Sequence, residues 1–112
     1  MKEPVIIREF RSADHAVVVA LVLGIQNDEF HLNLSISDQK DLTDIDAYYG
    51  SRGGVFLLAE ASAGAIVGTI GLMRLREDLG VMKKFFVTAD YRGKDRGVAM
   101  ALYERFIKSA KS

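Results

Sequence analysis

The chain has 112 residues, enough for one domain and too few for two. Fifteen basic and fifteen acidic residues leave no formal net charge, so no general attraction to nucleic acid is expected and any bound anion must be held by local groups. With no cysteine, disulfides, thiolate zinc sites and a cysteine nucleophile are excluded.

The N-terminal Met1-Lys2-Glu3-Pro4 lacks the apolar core of a signal peptide. Val5, Ile6 and Ile7 begin a strand that runs to about Phe10. Ser12 or Asp14 then offers an N-cap for a helix to about Ile25, although Val17, Val18, Val19 and Val22 favour a strand. Length and the cap signal favour the helix, apolar nearly all round and therefore buried on more than one side or against a partner. Its apolar run, Ala16 to Leu23, is too short to span a bilayer. A cytoplasmic protein without a membrane partner is expected, consistent with the absence of cysteine.

Gln26 to Asn33 reads as polar and irregular. Ser37 and Asp38 are alternative N-caps for a second helix in which Leu42, Ile45, Tyr48 and Tyr49 recur at helical spacing, with Gly50 as its stop. Asp44 and Asp46 read as its solvated face. Val55 to Glu60 is a strand, Ala61 to Ala65 a turn, and Ile66 to Leu75 the partner strand of a hairpin. Gly68 and Gly71 inside that second strand predict a bulge or a close backbone approach. A turn at Glu77 to Gly80 leads to a further strand, Val81 to Val87, then a loop, Thr88 to Arg96, and a last helix from Gly97 to about Lys111. On that helix Val98, Leu102, Phe106 and Ala110 form an apolar face, and Glu104, Arg105, Lys108 and Lys111 are expected in water. The predicted order is β-α-α-β-β-β-α, an α/β (α+β) fold with a largely antiparallel hairpin section.

The stretch that carries chemistry is Lys83 to Met100, a strand, a glycine-bearing basic loop and a helix start. First-turn amides of a helix lack internal partners and sit at the positive end of its dipole. Gly93 and Gly97 allow close backbone approach, so a pyrophosphate can rest on those amides, with Arg92, Lys94 and Arg96 adding charge. The same pattern also serves a tight turn with its basic side chains in solvent. His15 and His31 have no second ligand at useful spacing, so no metal site is expected. Gly93-Lys94 is not followed by Ser or Thr, which excludes the NTPase phosphate loop.

Lys-Lys-Phe-Phe-Val, then Asp-Tyr-Arg-Gly-Lys, then Gly-Val-Ala resembles the acetyl-CoA motif of the GNAT superfamily of N-acetyltransferases. The hairpin Ala65-Ile66-Val67-Gly68-Thr69-Ile70-Gly71-Leu72 is similar to that family's central strands. Gln26 to Phe30 and Asp38 to Leu42 are similar to one bacterial subgroup, so the likeness runs from Val5 to Ala110. It implies a GNAT-like mixed, mostly antiparallel sheet with flanking helices, and acetyl-CoA as cosubstrate. By it, Phe86 and Val87 pair with the pantetheine arm, while Arg92, Gly93, Lys94, Gly97 and Val98 surround the pyrophosphate. Asp95 departs from the family pattern, which usually has glycine there, and a carboxylate competes for the same positive helix end.

The resemblance further implies direct attack of an amine, from a small molecule or a peptide, on the thioester. An oxyanion contact would lie near Phe86, and Glu29 or Glu60 is the candidate base. A solvated surface role for either glutamate is the plainer reading. The family's fold continues with a further strand, a helix carrying a tyrosine proton donor, and a closing hairpin, none of which this sequence matches; Tyr103 reads as packing. Val81 to Val87 is then expected to be an open sheet edge, predicting a homodimer or a partner chain. A non-catalytic module that binds CoA or a protein is the alternative function.

Overall fold

The computed structural model describes residues 4–93 and 97–111. Among them lies one four-stranded antiparallel sheet, β1 (Val5–Glu9), β2 (Val55–Ala61), β3 (Ile66–Arg76) and β4 (Leu79–Val87), ordered in space as in sequence. The helices are α1 (His15–Gly24), α2 (Lys40–Thr43), α3 (Ile45–Gly50) and α4 (Val98–Lys111). The expected α+β order holds, with the second helical segment divided in two.

Strand alternation assigns the core to two faces. On one, Leu57, Ala59, Val67, Ile70 and Leu72 pack with Val98, Leu102 and Phe106 of α4. On the other, Phe56 and Leu58 pack with Val18 and Val22 of α1, Leu42 of α2, and Ile45 and Tyr49 of α3. Each fully buried leucine among them contributes about 1.5–3 kcal/mol over an exposed one. The sheet is thus the middle of three layers, and β4 lies at one edge.

Several local expectations change. The valine-rich segment is helical, because Val18 and Val22 one turn apart give it a buried seat on the sheet. It is not buried all round, since Val17 is half exposed. Gln26 to Asn33 is not wholly irregular: Ile25–Glu29 continues α1 as a π-helical turn. Gln26 is buried there in a reciprocal amide pair with Gln39, both bonds 2.9 Å, and the Asn27 amide clamps the N–H and C=O of Leu34 at 2.6 and 2.8 Å. Neither Ser37 nor Asp38 is the N-cap. Both lie in a preceding 3-10 turn, Ile36–Asp38, which Ser35 caps, with Asp38 Oδ2 accepting the Ser35 backbone N–H at 2.9 Å, and Gln39 stands at the start of α2. Asp44 is not simply solvated, because its carboxylate accepts from Ala47 N at 3.1 Å and so starts α3. Arg105, expected in water, is half-buried and donates to the carbonyl of Ile7 at 3.3 Å.

The two strand glycines let helices approach both faces of β3. A Cβ on Gly68 would lie 2.8 Å from Leu102 of α4, and one on Gly71 would lie 2.7 Å from the Tyr49 ring of α3. A register shift near Gly68 adds the bulge that the sequence allowed as the alternative. None of the helices among the described residues is long and apolar enough to cross a membrane.

Candidate functional site

The candidate site begins in β4. Gly71 pairs with Lys83, and Thr69 pairs with Phe86, so β4 carries one residue more than β3 between those two pairs. This is a β-bulge. Lys84 sits in it with φ 53°, in the left-handed region that a non-glycine residue adopts at a cost. Its carbonyl accepts from Thr69 Oγ1 at 2.7 Å. Its ammonium lies 3.1 Å from Asp41 Oδ2, and the Tyr49 hydroxyl donates to the same oxygen at 2.7 Å. Asp41, Tyr49 and Thr69 are all buried. Burial first, and the Asp41 carboxylate second, push the Tyr49 phenol well above its ordinary value, so it remains a neutral donor. Next to it Lys83 Nζ donates to Tyr48 Oη at 2.9 Å, and the Arg52 guanidinium lies 4.0 Å from the Tyr48 ring centroid. Successive strand residues ordinarily face opposite ways; the extra residue lets Lys83 and Lys84 both reach the helices over one face.

Beyond the bulge, the Thr88 N–H donates to Val67 O at 2.9 Å. Phe86 and Thr88 therefore turn their backbone groups toward β3, and Val87 turns its own toward the open edge. The Val87 carbonyl is taken by Arg92 Nε at 2.7 Å. Its N–H is left as the outward donor. Phe86 packs its ring on the α1–α3 face, and Val87 packs on the α4 face.

After β4 the chain makes a single turn, Ala89–Tyr91, and reaches Gly93 at φ 104° and Gly97 at φ 72°. A Cβ would meet nothing within 4 Å at either glycine, so each answers a backbone need and leaves open space. Lys94, expected beside a pyrophosphate, and Asp95, the departure from the family pattern, lie outside the described residues. Val98 is fully buried and starts the fourteen-residue α4, with Ala101 N bonded to Gly97 O at 3.0 Å. The preceding first-turn amides form the positive end of that helix.

The two candidate carboxylates fall in different places. Glu29 Oε1 is 2.6 Å from Arg92 Nη1, which ties the π-helical turn to the glycine loop. Beside it an open cavity of about 310 Å³ is lined by Leu21, Ile25, Glu29, Ile66, Thr88 and Ala89, among others. Glu60 is bound 2.7 Å from Arg8 Nε, and Arg8 also makes a two-pronged contact with Asp14 at 2.9 Å. The hydrogen bonds from Arg8 hold the Asp14 carboxyl below the usual aspartate range. Tyr91 packs half-buried against the α4 core, and Tyr103 stacks on Phe106 while partly exposed.

Sequence reasoning missed the cluster of Asp41, Tyr49 and Lys84. A signal was present: Asp41 stands four residues before Ile45, on the apolar stripe of its segment, where a carboxylate needs a buried partner.

Neither a search of protein-family models nor one of curated proteins finds a match. Solved structures do match. The chain is 33% identical, with a TM-score of 0.90, to a GNAT-family acetyltransferase of Staphylococcus aureus Mu50, over 96% of this chain and 67% of that one. An acetyltransferase of Streptococcus agalactiae 2603 has the same identity and a TM-score of 0.88, over 96% of this chain and 66% of that one. The chain therefore spans about two thirds of the length of these two relatives. A predicted acetyltransferase of Clostridium acetobutylicum, solved with acetyl-CoA, shares the fold at 18% identity and a TM-score of 0.74, over 96% of this chain and 74% of that one. With this sheet, this strand–loop–helix and a relative this similar, the chain belongs to the GNAT family of acetyltransferases.

Proposed function

We propose that the chain binds acetyl-coenzyme A and transfers its acetyl group to an amine. The carrying observation is the edge of β4, open among the described residues, with the Val87 N–H turned outward and with Gly93 and Gly97 at positive φ between it and α4. The fit is chemical: amides at a helix N-terminus suit a diphosphate, and an unpaired strand edge suits the amides of a pantetheine arm. Val87, Arg92, Gly93, Lys94, Gly97 and Val98 are the proposed binding residues; Phe86, expected to pair with the arm, turns its own backbone groups to β3 instead. Bound acetyl-CoA would supply a thioester, an acyl group with a good leaving group.

In the proposed reaction the neutral amine forms the new C–N bond as the C–S bond breaks. The amine proton passes to base or solvent, and the departing thiolate is reprotonated. The Val87 N–H is the donor best aimed for the developing oxyanion. An arginine holds each candidate carboxylate, and Glu29 is better situated as a base than Glu60 because it lines the open cavity. The acceptor is a small-molecule or peptide amine.

A second reading, a module that binds CoA without turnover, is favoured by the ion pairs that engage both glutamates. Calorimetry with acetyl-CoA, followed by thiol release with a panel of amines, tests both readings. Binding with thiol release supports the enzyme, binding alone selects the module, and no binding sinks both. A cytoplasmic setting and a homodimer or partner chain belong to the same proposal, the contact falling on exposed Leu79 and Met82 at the opposite end of β4 from Val87. Monomers by light scattering would contradict the homodimer.

A further inference from the structure

Side chains from three other elements converge on the bulge of β4. Thr69 of β3 holds the carbonyl of Lys84, Asp41 of α2 holds its ammonium, and Tyr49 of α3 orients Asp41. The Lys84 side chain is 13% exposed and that of Asp41 4%, so solvent screens the contact little.

The bulge decides which backbone groups of β4 face outward. If pairing continued evenly from Gly71 and Lys83, Thr69 would meet Phe85. Phe85 and Val87 would then turn inward, and Phe86 outward. With the extra residue, Thr69 meets Phe86 and the Val87 N–H emerges at the edge. A one-residue change of register thus exchanges the donor offered to whatever pairs with that edge.

We infer that the Asp41–Lys84 pair is a positioning device that holds the bulge in the register presenting Val87 to the acyl-carrying arm, an inference that rests on the proposed binding of acetyl-CoA. Lys84 acts at a distance from the reacting atoms. Its left-handed backbone is an unfavourable conformation retained because side chain and carbonyl are both anchored.

The test compares two ligands on the full chain: acetyl-CoA, and 3'-phospho-ADP, which keeps the diphosphate and lacks the pantetheine arm. In Lys84→Met, acetyl-CoA is expected to bind roughly tenfold more weakly. The arm-less nucleotide is expected to bind as before. General destabilisation would weaken both alike, so equal losses, or no loss, overturn the inference. Thr69→Val, which removes only the hydroxyl that holds the Lys84 carbonyl, carries the same expectation if Lys84→Met does not fold. Wild-type protein that binds neither ligand removes the acetyl-CoA reading itself. Wild-type binding of both, with an unchanged ratio in the variants, overturns the positioning role alone.

Discussion

Lys84 Nζ and Asp41 Oδ2 lie 3.1 Å apart inside the protein, joining the sheet edge to a helix of four residues. Such a short helix has little stability of its own, so its position depends on contacts of this kind. Removing one partner leaves the other as a buried, unpaired charge.

Lys84→Met is therefore expected to lower unfolding free energy by about 3–5 kcal/mol. Tyr49→Phe, which costs Asp41 one hydrogen bond and leaves the ion pair, is expected to cost about 1–3 kcal/mol. Urea denaturation monitored by circular dichroism measures both. Equal losses would mean that the pair carries no more than the phenol does.

Gly71→Ala tests the close approach of α3 to β3. Its Cβ would stand 2.7 and 2.9 Å from two atoms of the Tyr49 ring, which is buried and held by Asp41. An overpacking loss of about 1–3 kcal/mol is expected in the same denaturation assay. No loss would show that α3 yields freely.

The contact of Arg8 with Asp14 sets an acid limit to stability. The Asp14 carboxyl, depressed first by hydrogen bonds from Arg8, binds its proton at lower pH when folded than when unfolded. As pH falls through the ordinary aspartate value of about 3.9, the unfolded chain takes up the proton first, and acid draws the equilibrium toward unfolding. Thus Asp14 stabilises the fold above that pH, and its contribution is lost as pH drops through the lower folded value. Melting temperature measured against pH is expected to fall on this limb less steeply in Asp14→Asn than in wild type.

Glu29→Gln separates stability from binding. The Arg92–Glu29 pair is substantially exposed, so its loss is expected to change stability by less than about 1 kcal/mol. It also withdraws a negative charge from Arg92, which on the proposed reading strengthens acetyl-CoA binding by a few-fold. Calorimetry of the two proteins at matched ionic strength checks this. Weaker binding in Glu29→Gln would contradict the placement of Arg92 beside the diphosphate.

Much of the fold was legible because local patterns follow from local physics. Apolar runs on either side of a small-residue turn marked the hairpin, Val98, Leu102 and Phe106 marked the buried face of α4, and Gly93 and Gly97 marked the turn into it. Asp44 was misread because its helix-starting hydrogen bond depends on a break that apolar spacing does not reveal. Arg105 was misread because a charged residue near an apolar face looks solvated until a carbonyl from β1 is brought to it.

By itself the sequence determined the element order, the apolar face of the last helix and the glycine-bearing loop before it, since these depend on residues close along the chain. Only the tertiary structure decided that Lys84 meets Asp41, that Arg92 takes both Glu29 and the Val87 carbonyl, and that Glu60 belongs to Arg8. Those pairings depend on strand register, and one inserted residue in β4 reassigns which groups face inward. Periodicity along a single strand carries no record of the register adopted with its neighbour.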